Sequence, residues 1–285
     1  MNERKPEWLR VGIPSGRNVR AVSELLGRRS LATVCEGARC PNKAECWGAA
    51  TATFMVLGSV CTRFCRFCAV EHRASGESVR GDEPEELARA VAELKLAYAV
   101  VTSVDRDDLC DRGAAHFAAC VRALKALRTQ DGTEVRVEVL IPDYREGEIE
   151  LVLDAGPDLV AHNIETVERL QGLRDRRASY SASLHTLRLA AARGVRVKSS
   201  IMLGLGEESD EVLRSMDDLR AVGCDSLVLG QYLRPTLLQV EVARYVRPDE
   251  FARYAEEARA RGFASVVSAP LARTSYHARA SFEGK

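Results

Sequence analysis

The chain has 285 residues, of which 46% are hydrophobic and 29% charged, a composition typical of globular proteins. Lys and Arg together number 41, as do Asp and Glu, so the net charge provides no general attraction to nucleic acid or to a membrane surface. No apolar run approaches the roughly 20 residues that span a bilayer, and the polar N-terminus lacks the apolar segment of a secretory signal. These features predict a cytoplasmic protein that binds neither nucleic acid nor membranes.

Residues 1–50 show no clear periodicity and are rich in Gly, Pro, Arg and Cys, so we expect an irregular segment there. From residue 52 onward, short apolar runs alternate with helical patterns. The predicted strands are Ala52–Leu57, Tyr98–Ser103, Val135–Ile141, Leu159–Asn163, Val195–Met202, Ser226–Gln231 and Ala264–Ser268. The predicted helices are Glu85–Leu96, Gly113–Arg128, Glu146–Asp154, Ser181–Arg193, Glu208–Ala221 and Pro248–Ala260.

Successive strand–helix units indicate an α/β fold with parallel strands joined by right-handed crossovers. A complete eightfold barrel needs about 250 residues, so the repeat favours a partial (β/α)6 TIM-type barrel over residues 51–262. Residues 1–50 and 263–285 then form N- and C-terminal extensions. A doubly wound open sheet is the alternative, but no Gly-rich phosphate-binding turn follows the first strand.

Polar residues follow several of the predicted strands. In a barrel of this kind the site is built at the carboxyl ends of the strands, and these side chains are therefore expected to converge there. They are Thr102, Ser103, Asp105, His162, Asn163, Glu165, Lys198, Ser199, Ser200 and Gln231.

Nine cysteines are many for a chain expected in a reducing compartment, where closely spaced cysteines are more often metal ligands than disulfides. Six of them form two groups, namely Cys35, Cys40 and Cys46, and Cys61, Cys65 and Cys68. The other three, Cys110, Cys120 and Cys224, are expected to be small buried or partly buried residues.

The second group, Cys61-Thr-Arg-Phe-Cys65-Arg-Phe-Cys68, has C-x₃-C-x₂-C spacing. Three thiolates on such a short loop can hold one iron–sulfur cluster and leave one iron open for a small molecule. A zinc site is the alternative, but structural zinc takes four ligands, and His72 is the only nearby candidate for the fourth. The spacing therefore favours an iron–sulfur cluster.

This motif follows the first strand of the β/α repeat, has an aromatic residue before its last cysteine, and resembles the motif of the radical S-adenosylmethionine (SAM) superfamily. The resemblance implies a [4Fe–4S] cluster whose open iron binds SAM. In that superfamily, reductive cleavage of SAM yields a radical that removes hydrogen from an unactivated carbon. The cofactors then supply the difficult chemistry, while the protein orients them and excludes water.

The first group, with C-x₄-C-x₅-C spacing, closely resembles the auxiliary-cluster motif of the lipoyl synthase family. The similarity extends over roughly residues 5–280 and ends in Arg273-Thr-Ser-Tyr276, which resembles the Arg-Ser-Ser-Tyr motif of that family. Other matching segments are Lys5–Arg10, Thr51–Gly58, Val101–Leu109, His162–Thr166, Lys198–Glu207 and Gly230–Leu233.

The lipoyl synthase resemblance implies two [4Fe–4S] clusters. Cys61, Cys65 and Cys68 would hold the SAM-binding cluster, and an auxiliary cluster held by the first group would be dismantled to supply sulfur. By the same resemblance Ser275 is the fourth ligand of the auxiliary cluster and hence catalytic. An alkoxide is a poorer donor to this iron than a thiolate, so that corner should be labile.

The resemblance also implies the substrate and the partners. The substrate would be an octanoyl chain on a lysine of a lipoyl domain, either of the E2 subunit of a 2-oxoacid dehydrogenase or of the glycine-cleavage H protein. Two sulfur atoms would be inserted at C6 and C8, with electrons from a donor such as ferredoxin or flavodoxin. We expect Thr102, Ser103, Asn163, Glu165 and Lys198 to contact SAM.

Some positions depart from the usual family pattern. Ser59 stands where aspartate is common, Gly37 where glutamate is, and Arg174-Asp175 replaces a usual Arg-Pro. Residues 234–240, Arg-Pro-Thr-Leu-Leu-Gln-Val, replace a Ser-Arg-His-His-like stretch. Two alternatives therefore stay open, namely a paralogue acting on another acyl or peptide substrate and a cluster-binding scaffold or redox sensor without turnover. Residues 174–177 are predicted to be a solvated face, with contact to an acidic carrier as the alternative.

Overall fold

One sheet of seven parallel strands and one antiparallel strand is the centre of the computed structural model, which describes residues 5–284. Its order is β1–β2–β5–β6–β7–β8–β9–β10, and only β1 pairs antiparallel, with β2. These strands are β1 (Ala32–Thr33), β2 (Thr53–Val56), β5 (Tyr98–Ser103), β6 (Arg136–Leu140), β7 (Leu159–Ala161), β8 (Arg196–Leu203), β9 (Ser226–Gln231) and β10 (Ser265–Ser268). Two further short strands, β3 (Val60–Cys61) and β4 (Glu71–His72), form a separate pair.

Six strands, β2 and β5 to β9, are each followed by a helix, which confirms the predicted partial (β/α)6 architecture. The helices are α4 (Glu83–Glu93), α5 (Ala114–Lys125), α6 (Glu148–Leu153), α7 (Tyr180–Ala192), α8 (Ser209–Ala221) and α9 (Pro248–Ala260). All residues of β2, β7 and β9 are buried, as expected for parallel strands covered on both faces. The predicted boundaries differ from the observed ones by a few residues at most.

The expectation of an irregular first segment is wrong for a large part of it. Residues 17–29 form helix α1 (Arg17–Arg29), and two shorter helices, α2 (Val34–Gly37) and α3 (Lys43–Gly48), follow. Val19, Val22, Leu25 and Leu26 are buried on one face of α1. This spacing of three and four residues is the helical period. The arginines around these positions obscured the apolar pattern in the sequence.

The two predicted extensions both contribute to the central sheet. Strand β1 comes from residues 1–50 and β10 from residues 263–285, so each adds one strand beside the six-unit repeat. The C-terminal segment also passes close over β9, where a Cβ at Gly230 would lie 2.2 Å from the Ala272 carbonyl oxygen. Only glycine permits this approach, which brings the last helix, α10 (Ala278–Glu283), and the residues before it back to the sheet.

Within residues 5–284, none of the helices combines the length and the apolar character that a bilayer crossing requires.

Candidate active site

The loop that carries the second cysteine group begins at the carboxyl end of β2. Hydrogen bonds from its backbone N–H groups hold it in place. Thr62 N–H donates to the carbonyl of Asp105, after β5, at 2.9 Å. Arg63 N–H donates to Cys61 Sγ at 3.4 Å, and Cys68 N–H donates to the Cys65 carbonyl at 3.1 Å. These bonds fold the loop tightly, so that all three thiols face one cavity.

Arg63, inside the cysteine motif, anchors this loop to two neighbouring strand ends. Its buried guanidinium pairs with Asp105, Asp107 and Asp143. Burial raises the pKa of the Asp143 carboxyl, but His162, Arg174 and Arg63 outweigh burial and hold that pKa well below its usual range. The result is a buried ionic network beneath the cysteine loop, in which the charge of each group depends on its partners.

Residues 173–177 contact the other side of the cysteine loop. Arg174 and Asp175 are buried, so the prediction of a solvated face is wrong for these two residues. Asp175 accepts a hydrogen bond from Phe64 N–H at 2.9 Å, and its own N–H donates to Cys65 Sγ at 3.3 Å. The Arg66 N–H donates to the Leu173 carbonyl at 2.8 Å. This segment therefore shapes the cysteine loop.

The first cysteine group lies on the two short helices of the N-terminal extension. Cys35 is in α2, Cys46 is in α3, and Cys40 lies between them, with its N–H bonded to the Cys35 carbonyl at 3.1 Å. Burial raises the pKa of the Cys46 thiol to about 12, and the neighbouring Cys35 and Cys40 add to the shift. The three cysteines therefore lie on one compact segment of the N-terminal extension.

The C-terminal segment meets this group, as the resemblance implied. Asn42 donates through Nδ2 to the Leu271 carbonyl at 2.8 Å, and Tyr276 donates its hydroxyl to Glu45 at 2.8 Å. Ser275, which lies next to Tyr276, lines the same cavity as Cys40. These bonds hold the two chain ends together on either side of that thiol.

A single cavity of about 530 Å³ at the carboxyl ends of the strands joins the two cysteine groups. Its walls include Cys40 and Ser275 from the extensions and Cys61, Cys65 and Cys68 from the barrel loop. Cys35 and Cys46 do not line it; Cys35 is buried behind Cys40.

Four of the five residues predicted to contact SAM line this cavity, namely Thr102, Ser103, Asn163 and Glu165. The Ser103 hydroxyl is buried and has no hydrogen-bond partner among the described residues. Glu165 has a left-handed backbone (φ 66°), and Asn163 donates to its carboxylate at 3.2 Å. A half-buried carboxylate acceptor and a free buried hydroxyl on the cavity wall suit a polar, cationic ligand, since buried polar groups require partners.

Lys198 is placed differently from the prediction. Its ammonium donates to Glu138 at 2.7 Å and to the Thr274 carbonyl at 3.3 Å, with both side chains of the ion pair almost wholly buried and outside the cavity wall. Gln231 is also committed to the fold, since its amide bonds the carbonyls of Leu203 and Arg244. Ser200 likewise accepts from Thr274 at 3.1 Å rather than facing the cavity.

Burial keeps the thiols of the cysteine loop protonated unless a metal ion or cluster binds them. Burial raises the pKa of Cys61, Cys65 and Cys68 to about 12, and the nearby carboxylate of Asp105 adds to the effect. Thiols in such an environment become thiolates when a metal ion compensates the charge. Thiolate ligands favour soft metals and iron–sulfur clusters over magnesium or calcium.

The three remaining cysteines are apart from this site. Cys120 and Cys224 are buried, as predicted, whereas Cys110 is exposed and that prediction is wrong. The sequence reasoning did not select Arg63 and Asp143, which hold the cysteine loop in position. Asp143 follows β6 closely, so the strand-end rule that identified Ser103 should have included it.

Comparison with known proteins agrees with this geometry. A model of the Radical SAM superfamily matches residues 55–219. The lipoyl synthase of Methylococcus capsulatus is 53% identical over 96% of this chain and 85% of its own length. That of Pyrobaculum arsenaticum is 50% identical over 98% of this chain and 95% of its own.

Solved structures show the same fold at low identity. Methylornithine synthase has a TM-score of 0.54 at 15% identity, over 79% of this chain and 68% of its own. HydG, a maturase of the [FeFe]-hydrogenase, has a TM-score of 0.61 at 15% identity, over 88% of this chain and 63% of its own. The similarity to curated lipoyl synthases extends over nearly the whole chain. Together with the cavity and its two cysteine groups, it shows that the chain belongs to the lipoyl synthase family of radical SAM enzymes, which use SAM and two [4Fe–4S] clusters.

Proposed function

We propose that this chain inserts two sulfur atoms, at C6 and C8, into the octanoyl group of an octanoylated lipoyl domain. The carrier is the lipoyl domain of a 2-oxoacid dehydrogenase E2 subunit or the glycine-cleavage H protein, and a ferredoxin or flavodoxin supplies the electrons. The observation that carries the proposal is the single cavity of about 530 Å³ lined by thiols of both groups and by Ser275. The sulfur donor and the site of hydrogen removal must both reach the same acyl chain, and this cavity adjoins both cysteine groups.

The residues have distinct roles in this proposal. Cys61, Cys65 and Cys68 hold the SAM-binding cluster, which supplies the radical chemistry when SAM is bound. Cys35, Cys40 and Cys46, with Ser275 as the fourth ligand, hold the cluster that is the source of sulfur. The ion pairs of Arg63 with Asp105 and Asp143 keep the cysteine loop in place.

Thr102, Ser103, Asn163 and Glu165 orient SAM from the opposite wall. The half-buried Glu165 carboxylate, whose pKa desolvation raises, accepts hydrogen bonds from a cationic group, and the unpartnered Ser103 hydroxyl binds a polar one. Thr274, which also lines the cavity, supports this wall, because its hydroxyl donates to Asn163 Oδ1 at 3.1 Å. Apolar residues such as Leu140, Ile141 and Met202 line the same cavity and suit an acyl chain.

The test is anaerobic reconstitution followed by turnover. Two four-iron clusters require about eight irons per chain. The reconstituted protein is then given SAM, a reductant and an octanoyl-lysyl peptide, and product mass is followed together with 5′-deoxyadenosine. A product with two added sulfur atoms supports the proposal. Cleavage of SAM without sulfur insertion contradicts it and indicates a different substrate, and no cleavage indicates a scaffold or sensor.

A further inference from the structure

The loop after β9 exposes two adjacent leucines although its backbone is firmly held. Leu237 and Leu238 are 80% and 92% exposed. Arg234 donates to the carbonyls of Leu237 and Gln239, both at 2.7 Å. Val240 N–H donates to the Arg66 carbonyl at 2.9 Å. The leucines are therefore presented to solvent by a fixed loop, and not by a loose one.

The loop also borders the cavity. Its first residues, Arg234 and Pro235, line the cavity wall, and Gln239 donates through Nε2 to the Cys68 carbonyl at 3.1 Å. Leu237 and Leu238 thus lie in a segment tied to the cysteine loop at the cavity mouth.

Exposed apolar side chains concentrate around this mouth. Among residues 5–284, eight large hydrophobic side chains are exposed, and six of them belong to three segments that also supply cavity-lining residues. These six are Trp8, Val11, Ile13, Phe64, Leu237 and Leu238. Single exposed apolar residues are ordinary, but a collection around one opening marks an interaction surface.

Positive charge accompanies the apolar residues. Arg39 lines the cavity and Arg66 lies in the cysteine loop, both exposed, and neither guanidinium has an ion-pair or hydrogen-bond partner within the described part of the chain. The carboxylate in the leucine loop, Glu241, is paired with Arg234 at 3.3 Å. The unpaired charge at the rim is therefore cationic, which favours an acidic partner surface.

We propose that Leu237, Leu238 and the unpaired Arg66 form a docking surface for the folded carrier domain that bears the octanoylated lysine, through acidic and apolar residues beside that lysine. This inference rests on the proposed function. The acyl chain must reach the cavity while its lysine remains part of the carrier, and a lysyl side chain is a short tether. The body of the carrier must therefore contact the residues at the mouth.

The test compares a folded carrier with a peptide that has no body to dock. The double variant Leu237→Ser/Leu238→Ser of the reconstituted enzyme is measured against the octanoylated carrier domain and against an octanoyl-lysyl peptide. Loss of two apolar contacts should weaken carrier binding about tenfold or more. KM for the peptide should stay at the wild-type value, because neither leucine lines the cavity.

The matched control is Leu151→Ser on α6, an exposed leucine away from the mouth, which should leave carrier affinity unchanged. Direct binding of the octanoylated carrier domain, followed by fluorescence anisotropy, gives a readout apart from turnover. Arg66→Gln should weaken that binding more at low salt than at high salt, since an exposed charge is screened.

The outcomes separate the two proposals. Equal carrier affinity in the wild type and the double variant overturns the docking surface, whatever the activity. Equal losses for the carrier and the peptide also overturn it, since they would show that the loop only shapes the cavity. A wild-type protein that binds the carrier in this way but converts neither substrate overturns the proposed function while the docking surface stands.

Discussion

The backbone N–H of Asp175 donates a hydrogen bond to the Sγ of Cys65 at 3.3 Å, across a sequence separation of 110 residues. The Asp175 carboxylate also accepts from Phe64 N–H. Where the family usually carries proline, this chain has a residue that can donate to the sulfur of Cys65, and proline has no N–H to give.

Asp175→Pro should lower the reduction potential of the cluster held by Cys61, Cys65 and Cys68 relative to Asp175→Ala. Both variants lose the carboxylate, but only proline removes the N–H, which stabilises the more negative reduced cluster. One hydrogen bond of ~1 kcal/mol corresponds to about 40 mV for a one-electron couple. The extended backbone of Arg174 (ψ 170°) accommodates a following proline.

An EPR-monitored redox titration of the two variants measures this difference. The prediction fails when the two potentials agree within error, or when the proline variant has the higher one.

Arg63→Ala should destabilise the chain by about 3–5 kcal/mol, because it leaves buried carboxylates without their partner. Arg63 is 5% exposed and pairs with Asp105, Asp107 and Asp143. Urea unfolding of the metal-free chain and iron content after reconstitution measure the effect. Arg73→Ala, which removes an exposed pair with Glu71, is the control and should change stability by about 0.5 kcal/mol or less.

Asp143→Asn should lose stability at neutral pH, and its deficit should shrink in acid. The folded-state pKa of Asp143 is lowered, so its stabilising contribution is present above the unfolded pKa of about 3.9 and is lost as the pH falls below it. The difference in stability between wild type and variant should therefore begin to shrink below about pH 4 and keep shrinking as the pH approaches the lower folded-state pKa. Exposed Asp154→Asn serves as control. A constant difference at all pH values would argue against an ionised Asp143.

Lys198→Met should be strongly destabilising because it strands the buried Glu138 carboxylate, while Lys198→Met/Glu138→Leu should recover part of the loss. Removal of one partner of a buried pair costs about 3–5 kcal/mol, whereas replacement of both by apolar residues is often neutral. Tyr98 also donates to Glu138 at 2.6 Å, so recovery should be incomplete. The SAM affinity of the double variant tests the original expectation that Lys198 contacts SAM. If Lys198 contacts SAM, its replacement should weaken SAM binding.

Ser275→Ala should retain SAM cleavage and lose sulfur transfer, because the cavity wall formed by Ser103, Asn163 and Glu165 stays intact. Product mass and 5′-deoxyadenosine are measured on the same reconstituted sample. Thr274→Ser, which keeps the hydroxyl bonded to Asn163, should transfer sulfur normally. Unchanged product from Ser275→Ala would remove Ser275 from the chemistry.

The sequence by itself determined the repeat, the family and the cysteine groups. Short apolar runs and helical periodicity predicted all seven parallel strands of the sheet and the helices of the barrel, because strands covered on both faces and helices covered on one face carry those patterns directly. The spacing of Cys61, Cys65 and Cys68 predicted the cysteine loop, because these three residues are close together in the sequence. Thr102, Ser103, Asn163 and Glu165 were found by the rule that parallel strands end on one side.

The tertiary structure decided which polar side chains face the cavity and which serve the fold. Lys198 and Ser103 both belong to strands of the same sheet. Glu138 on β6, two strands away from β8, pairs with the lysine, while the serine hydroxyl has no partner among the described residues. The anchoring by Arg63 and Asp175 joins residues about 40 to 110 positions apart. Such pairings depend on how separate elements pack, and no local pattern in one sequence encodes them.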